Sequence, residues 1–219
     1  MLTILATVAL CSLSTADETG FDAAFANNAF AWDALSVLQE EAPTENLVFS
    51  PFSIHQVMSM TYGAARTRTE AELEAALHLG GQALTHPAIA RLAEAVLNAA
   101  EDDRTRIGMA NRLWLQEDWM IQPGYGDLLT GTYETSFAEA DFARASTEQL
   151  EAIRETLNGW VAGETFDRIP ELLPAGALDN LTRWVLVNAL AFKAPFEKPF
   201  NPDETREAAF HGSGTIPTT

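Results

Sequence analysis

Four histidines, paired carboxylates such as Glu40-Glu41 and Asp102-Asp103, and one cysteine are the residues with which this chain could do covalent or metal chemistry, and their spacing withholds it. His55, His78, His86 and His211 form no HExxH pair, and neither a GxSxG nucleophile elbow nor a GxxxxGK[ST] phosphate loop occurs in the 219 residues. His55 and His78 fall in segments of helical periodicity, where a packed or solvated imidazole is the expected state. Glu40-Glu41 and Asp102-Asp103 sit at element ends, as solvated charges do. Cys11 alone permits neither an internal disulfide nor a Cys-based zinc site. The chain is therefore not expected to be an enzyme, and no cofactor or metal is implied.

The polar group that demands an explanation is Asn188, the single polar residue in the run Trp184 to Phe192. A buried amide must find hydrogen-bond partners or cost about 1 to 3 kcal/mol. Ser50 and Ser53, which bracket the start of a helix, are the hydroxyls expected to supply them. By residue type alone Ser50 also reads as an ordinary N-cap and Ser53 as a surface hydroxyl.

Several elements must position these groups. Phe21, Phe25, Trp32, Leu35 and Leu38 share one side of a helix that ends before Pro43. Asn46 to Phe49 reads as a short strand, and Ser50-Pro51 opens a helix with Ile54, Val57, Met58, Thr61 and Tyr62 on one face. Thr69 to Glu72 matches a capping box for a helix reaching Gly80-Gly81, and Pro87 opens the next. Ile107 to Leu115 alternates with period two, with Asn111 on the same side as Ile107, Met109, Leu113 and Leu115. A short helix over 123–133, a strand over 137–142 and a helix capped by Ser146 to Gln149 follow. Trp184 to Phe192, apolar on both faces, is expected in the middle of a sheet covered on both sides.

The charge balance, 31 Asp and Glu against 13 Lys and Arg, excludes nucleic acid as the main partner and a polybasic membrane patch. Residues 1–16 carry an apolar stretch from Leu2 to Leu10 and small residues at Ser14-Thr15-Ala16, which read as a signal peptide. The chain is then secreted to the extracellular space, or to the periplasm in a bacterium, and 17–219 form part of one domain. Asn180-Leu181-Thr182 matches a glycosylation sequon and is expected to stay unmodified.

Ordered motifs carry a family resemblance. Asn46-Leu47-Val48-Phe49-Ser50-Pro51-Phe52-Ser53-Ile54, with Gly63-Ala64-Ala65 and Thr69, is similar to the N-terminal signature of the serpins. The likeness recurs at Ala110-Asn111-Arg112-Leu113-Trp114, at Asn158-Gly159-Trp160-Val161 with Thr165 and Ile169, and at Val185 to Lys193 with Phe200, Thr205 and Phe210. It runs from about Phe21 to the end.

The resemblance implies a mixed α+β serpin fold, with helices on a large central sheet whose middle strands can part. It places Ser50, Ser53 and Asn188 in a shutter under those strands, the helix from Thr147 to Val161 across the sheet, and Lys193 and Phe196 at the upper opening point. Where the family shows Phe-Lys-Gly-x-Trp, this chain has Phe192-Lys193-Ala194-Pro195-Phe196, an apolar plug without the indole donor. The matched part stops short of the C-terminal β-structure and of the reactive loop, so no reactive site can be named in this chain. The full-length protein would be a monomeric inhibitor of a serine or cysteine protease, acting as a suicide substrate by loop insertion. The alternatives are a non-inhibitory carrier or chaperone on the same fold, and a truncated chain that self-associates through an open strand edge.

Overall fold

The structure, a computed structural model, describes residues 21–43, 45–99 and 104–208. The apolar segment 1–16, His211 and the motif residue Phe210 lie outside the described residues.

The chain forms α1 (Ala23–Glu41), α2 (Pro51–Ala64), α3 (Thr67–Ala76), α4 (Gln82–Asn98), β1 (Arg106–Gln116), α5 (Pro123–Tyr133), β2 (Ser136–Ala140), α6 (Thr147–Glu164) and β3 (Trp184–Lys193), then a short 3-10 turn, Pro202–Glu204. The sheet order is β2-β1-β3, with β1 parallel to β2 and antiparallel to β3. Alternation along the strands separates two layers. Leu113 and Leu186 turn toward the apolar cluster built by α1, α2, α4 and α5. Trp114, Val187 and Ala189 turn toward α6.

Local chemistry accounts for the elements the sequence shows well. Ser146 accepts from the Gln149 amide and the Gln149 side chain answers the Ser146 amide, so α6 starts on a complete capping box. Proline stands in the first turn of both α2 and α5, where a helix needs no amide donor. Gly80 is required by contact: a Cβ there would lie 2.6 Å from the Phe21 ring.

Other expectations are corrected. Asn46 to Phe49 is not a strand and is no member of the sheet formed by the described residues. The box expected at Thr69 does not form; α3 begins at Thr67, and Glu72 is drawn instead into an ion pair with Arg68 at 2.7 Å. Pro87 lies inside α4, which begins five residues earlier at Gln82. The buried side of α1 is Ala23, Ala24, Ala26 and Asn27, and Phe25 is 71% exposed. In α2 the buried positions are His55, Gln56, Ser59, Met60, Tyr62 and Gly63. Finally, among the described residues β3 pairs on one side only, with β1, in a partial sheet of three strands. An apolar run reports that both faces of a strand are covered, but says nothing of its neighbours along the ladder.

Candidate functional site

Asn111 and Asn188 are direct cross-strand partners on β1 and β3, on the face toward α2. Their orientations follow from one acceptor. The Asn111 Nδ2 donates to the Tyr133 carbonyl at 2.8 Å, which leaves Asn111 Oδ1 to accept from Asn188 Nδ2 at 2.9 Å. The other hydrogen of that amide goes to Gln56 Oε1, also at 2.9 Å. A carbonyl can only accept, so each amide in the row is set by the one before it. Asn188 Oδ1 remains a buried acceptor with no donor among the described residues.

The row continues past Tyr133, whose hydroxyl lies 2.7 Å from His86 Nδ1. Burial holds this imidazole down at about pKa 4, so His86 is neutral near pH 7 and shares one hydrogen bond with the Tyr133 hydroxyl through Nδ1. The Tyr133 phenol is in turn pushed up, first by burial and then by the nearby Tyr125. His55, 1% exposed, donates from Nε2 to the Leu77 carbonyl at 2.9 Å, and burial lowers its pKa as well. Both are packed histidines. His78 falls just beyond the end of α3, with Nε2 2.8 Å from Asp33 Oδ2.

Gln56 and Asn111 therefore take both hydrogens of the Asn188 amide, and the expectation that Ser50 and Ser53 supply its partners is corrected. Ser50 caps α2, its Oγ accepting from the Ser53 amide at 3.3 Å, and the two hydroxyls bond each other at 3.2 Å. The reason is helical geometry. Gln56 lies three residues after Ser53, one turn deeper along α2, and its longer side chain reaches the sheet.

Lys193 ends β3 opposite Arg106. Phe196 is 61% exposed and meets Phe200 edge-on at 5.2 Å. On the opposite face, α6 packs Leu157 and Val161 against Val187 and Ala189, and Trp160 meets Trp114 edge-on at 5.1 Å. The loop after α6 is tied back to it. Asn158 Oδ1 accepts from the Leu172 and Leu173 amides at 3.0 and 2.9 Å, while its Nδ2 donates to the Leu173 carbonyl. The Asn180 Nδ2 that a glycan would occupy donates to the carbonyls of Phe142 and Ala145, both at 2.9 Å. Among the described residues no group of acids, histidines and cysteines is arranged for a metal ion, and no helix is long and apolar enough to cross a membrane.

Of the sequence-predicted residues, the structure brings Asn188 into a polar row and leaves Ser50, Ser53, Lys193 and Phe196 outside it. Gln56, Asn111, Tyr133 and His86 were missed as partners. Asn111 had a signal: period two places it among apolar residues, as with Asn188.

A family profile described as "Serpin (serine protease inhibitor)" matches residues 25–218. The leukocyte elastase inhibitor of Bos taurus is 36% identical over 185 residues, covering 84% of this chain and 47% of that protein. Serpin-Z7 of Hordeum vulgare is 34% identical over 204 residues, covering 91% of this chain and 48% of its own. Among solved structures, ovalbumin from the emu, Dromaius novaehollandiae, superposes with a TM-score of 0.77 at 25% identity, over 88% of this chain and 52% of that one. The chain therefore belongs to the serpin family. It spans about half the length of the curated relatives it matches.

Proposed function

We propose that the whole protein is an inhibitory serpin, whose reactive loop is cut and acylated by a serine or cysteine protease and then enters the sheet as a new strand. The observation that supports this most is the Gln56–Asn188–Asn111 row, a hydrogen-bonded seam between α2 and the β1–β3 pair. Such a seam holds strands in register until a competing strand offers better pairing. In this reading Asn188 works with Gln56 and Asn111, Ser50 and Ser53 support the start of α2, and Lys193 and Phe196 lie where the sheet opens. Inhibition makes the protein a protease partner rather than an enzyme, and export would rest on residues 2–16.

Full-length protein incubated with a panel of serine and cysteine proteases should give a covalent complex that survives boiling in detergent. Plain turnover of the loop by every protease, with no such complex, would overturn the inhibitory reading in favour of a carrier or chaperone on the same fold.

A self-associating form has its own support, since among the described residues β3 pairs on one side only, with Trp184 and Phe192 partly exposed. Size-exclusion chromatography of the 219-residue chain tests it: concentration-dependent oligomers support edge pairing, and a monodisperse monomer counts against it.

A further inference from the structure

Acidic side chains outnumber basic ones 31 to 13 in this chain, yet three of the 13 cations meet at one place. Arg106 opens β1 and Lys193 closes β3, and the antiparallel register sets them directly opposite each other. Both have the parity of the α6 face. Arg106 alternates with Gly108, where a Cβ would lie 2.8 Å from the Glu164 carbonyl of α6, and Lys193 alternates with Val187 and Ala189. Arg168, from the loop after α6, joins them around an open pocket of about 370 Å³ whose wall includes Phe166 and Asp167. The Arg106 guanidinium sits 3.9 Å from the centre of the Phe166 ring. Stacking of this kind fixes a guanidinium while leaving its in-plane donors free.

Like charges directly opposite each other weaken a ladder. No carboxylate forms an ion pair with Arg106, Arg168 or Lys193 among the described residues. With Asp167 counted, the pocket residues carry 3 − 1 = +2. A chain with carboxylates to spare leaves this repulsion standing, beside an aromatic wall that orients one of the cations. Phe166 and Asp167 also hold left-handed backbone angles, φ 55° and 57°, which are uncommon for an aromatic residue.

We propose that Arg106, Arg168 and Lys193 form a binding site for a compact tetrahedral oxyanion of charge about −2, phosphate or sulfate, free or carried on a small ligand. The charge matches the pocket, and two guanidinium groups supply the planar donor pairs that such oxyanions accept. The rival account is that the cations only balance the negative C-terminal end of α6. It differs in sign. Balancing cations stabilise the chain in plain chloride, whereas a repelling pair kept for a ligand destabilises it.

Calorimetric titration and thermal melting of the intact chain, at fixed ionic strength with chloride as reference, separate the two accounts. Inorganic phosphate, inorganic sulfate and glucose 6-phosphate are the probes. Saturable binding to at least one is expected, weakened at least tenfold in R106Q and in R168Q and kept in R68Q, which alters a remote surface cation. Tighter binding of glucose 6-phosphate would assign the site to an esterified group, and equal or weaker binding to the free ion. K193Q should raise the melting midpoint in chloride. Absence of saturable binding, binding that persists in the R106Q/R168Q double variant, or a lower midpoint for K193Q would each overturn the proposal. These readouts do not involve protease complexes, so failure here leaves the inhibitor reading standing.

Discussion

The two faces of the β1–β3 pair are built from the same alternating strands but hold their neighbours by different means. Toward α2 and α5, Asn111 and Asn188 form directional bonds with Gln56 and the Tyr133 carbonyl, and a shift of either strand would leave several polar groups unpaired. Toward α6 the contact is apolar, with Leu157, Val161, Trp114 and Val187 packed together and Arg112 above the Trp160 ring at 4.7 Å. Apolar contact is non-directional, so α6 can be displaced without orphaning a buried amide. Its own bonds run mainly to the loop that follows it, through Asn158. The face toward α2 therefore adds directional bonds that fix register to its apolar core, and the face toward α6 holds by apolar contact.

The largest expected effect tests the apolar face. Leu157→Ala, at a fully buried position, should lower unfolding free energy by about 2 to 5 kcal/mol in denaturant titration. A loss well below that would mean α6 contributes little to the core.

Next is the polar face, where Asn111→Ala should cost about 1 to 3 kcal/mol by stranding the Asn188 amide and the Tyr133 carbonyl. Its cycle with Asn188→Ala should show coupling of about 0.5 to 3 kcal/mol, while Leu157→Ala combined with Asn188→Ala should be nearly additive if the faces are independent.

The pH dependence is a finer test. His86 is held neutral in the folded chain, near pKa 4 against the ordinary 6.5, so the unfolded state takes up the proton first as pH falls. Stability from this group is fully present above about pH 6.5 and is lost as pH falls toward 4, with a slope of at most about 1.4 kcal/mol per pH unit. His55 is shifted in the same direction. His86→Gln should flatten part of that slope and leave the rest to His55; an unchanged profile would mean that His86 titrates alike in both states.

The smallest effect concerns the hydroxyls. Ser50→Ala should cost about 1 kcal/mol through its cap and be additive with Asn188→Ala within about 0.5 kcal/mol. Strong coupling would return the serines to the seam.

Legibility followed the range of the interactions. The capping box at Ser146 and Gln149, the proline at the head of α5 and the alternation of Ile107 to Leu115 are complete within a few residues, and those elements appear where the sequence puts them. Expectations failed where a distant group competed. Glu72 pairs with Arg68 instead of closing a box, and α1 buries its alanine side, which fits closely against α2 and α4, in place of its larger aromatics.

By itself the sequence determined the family, the strands β1 and β3, the caps of α2 and α6, and that an amide at Asn188 needed partners. Periodicity, capping and motif order are local properties, written in residues a turn or two apart. Only the tertiary structure decided that those partners are Gln56 and Asn111, 132 and 77 residues away. A hydrogen bond over such separations depends on how whole elements dock, and many side chains of the right type compete for it until packing removes all but one arrangement.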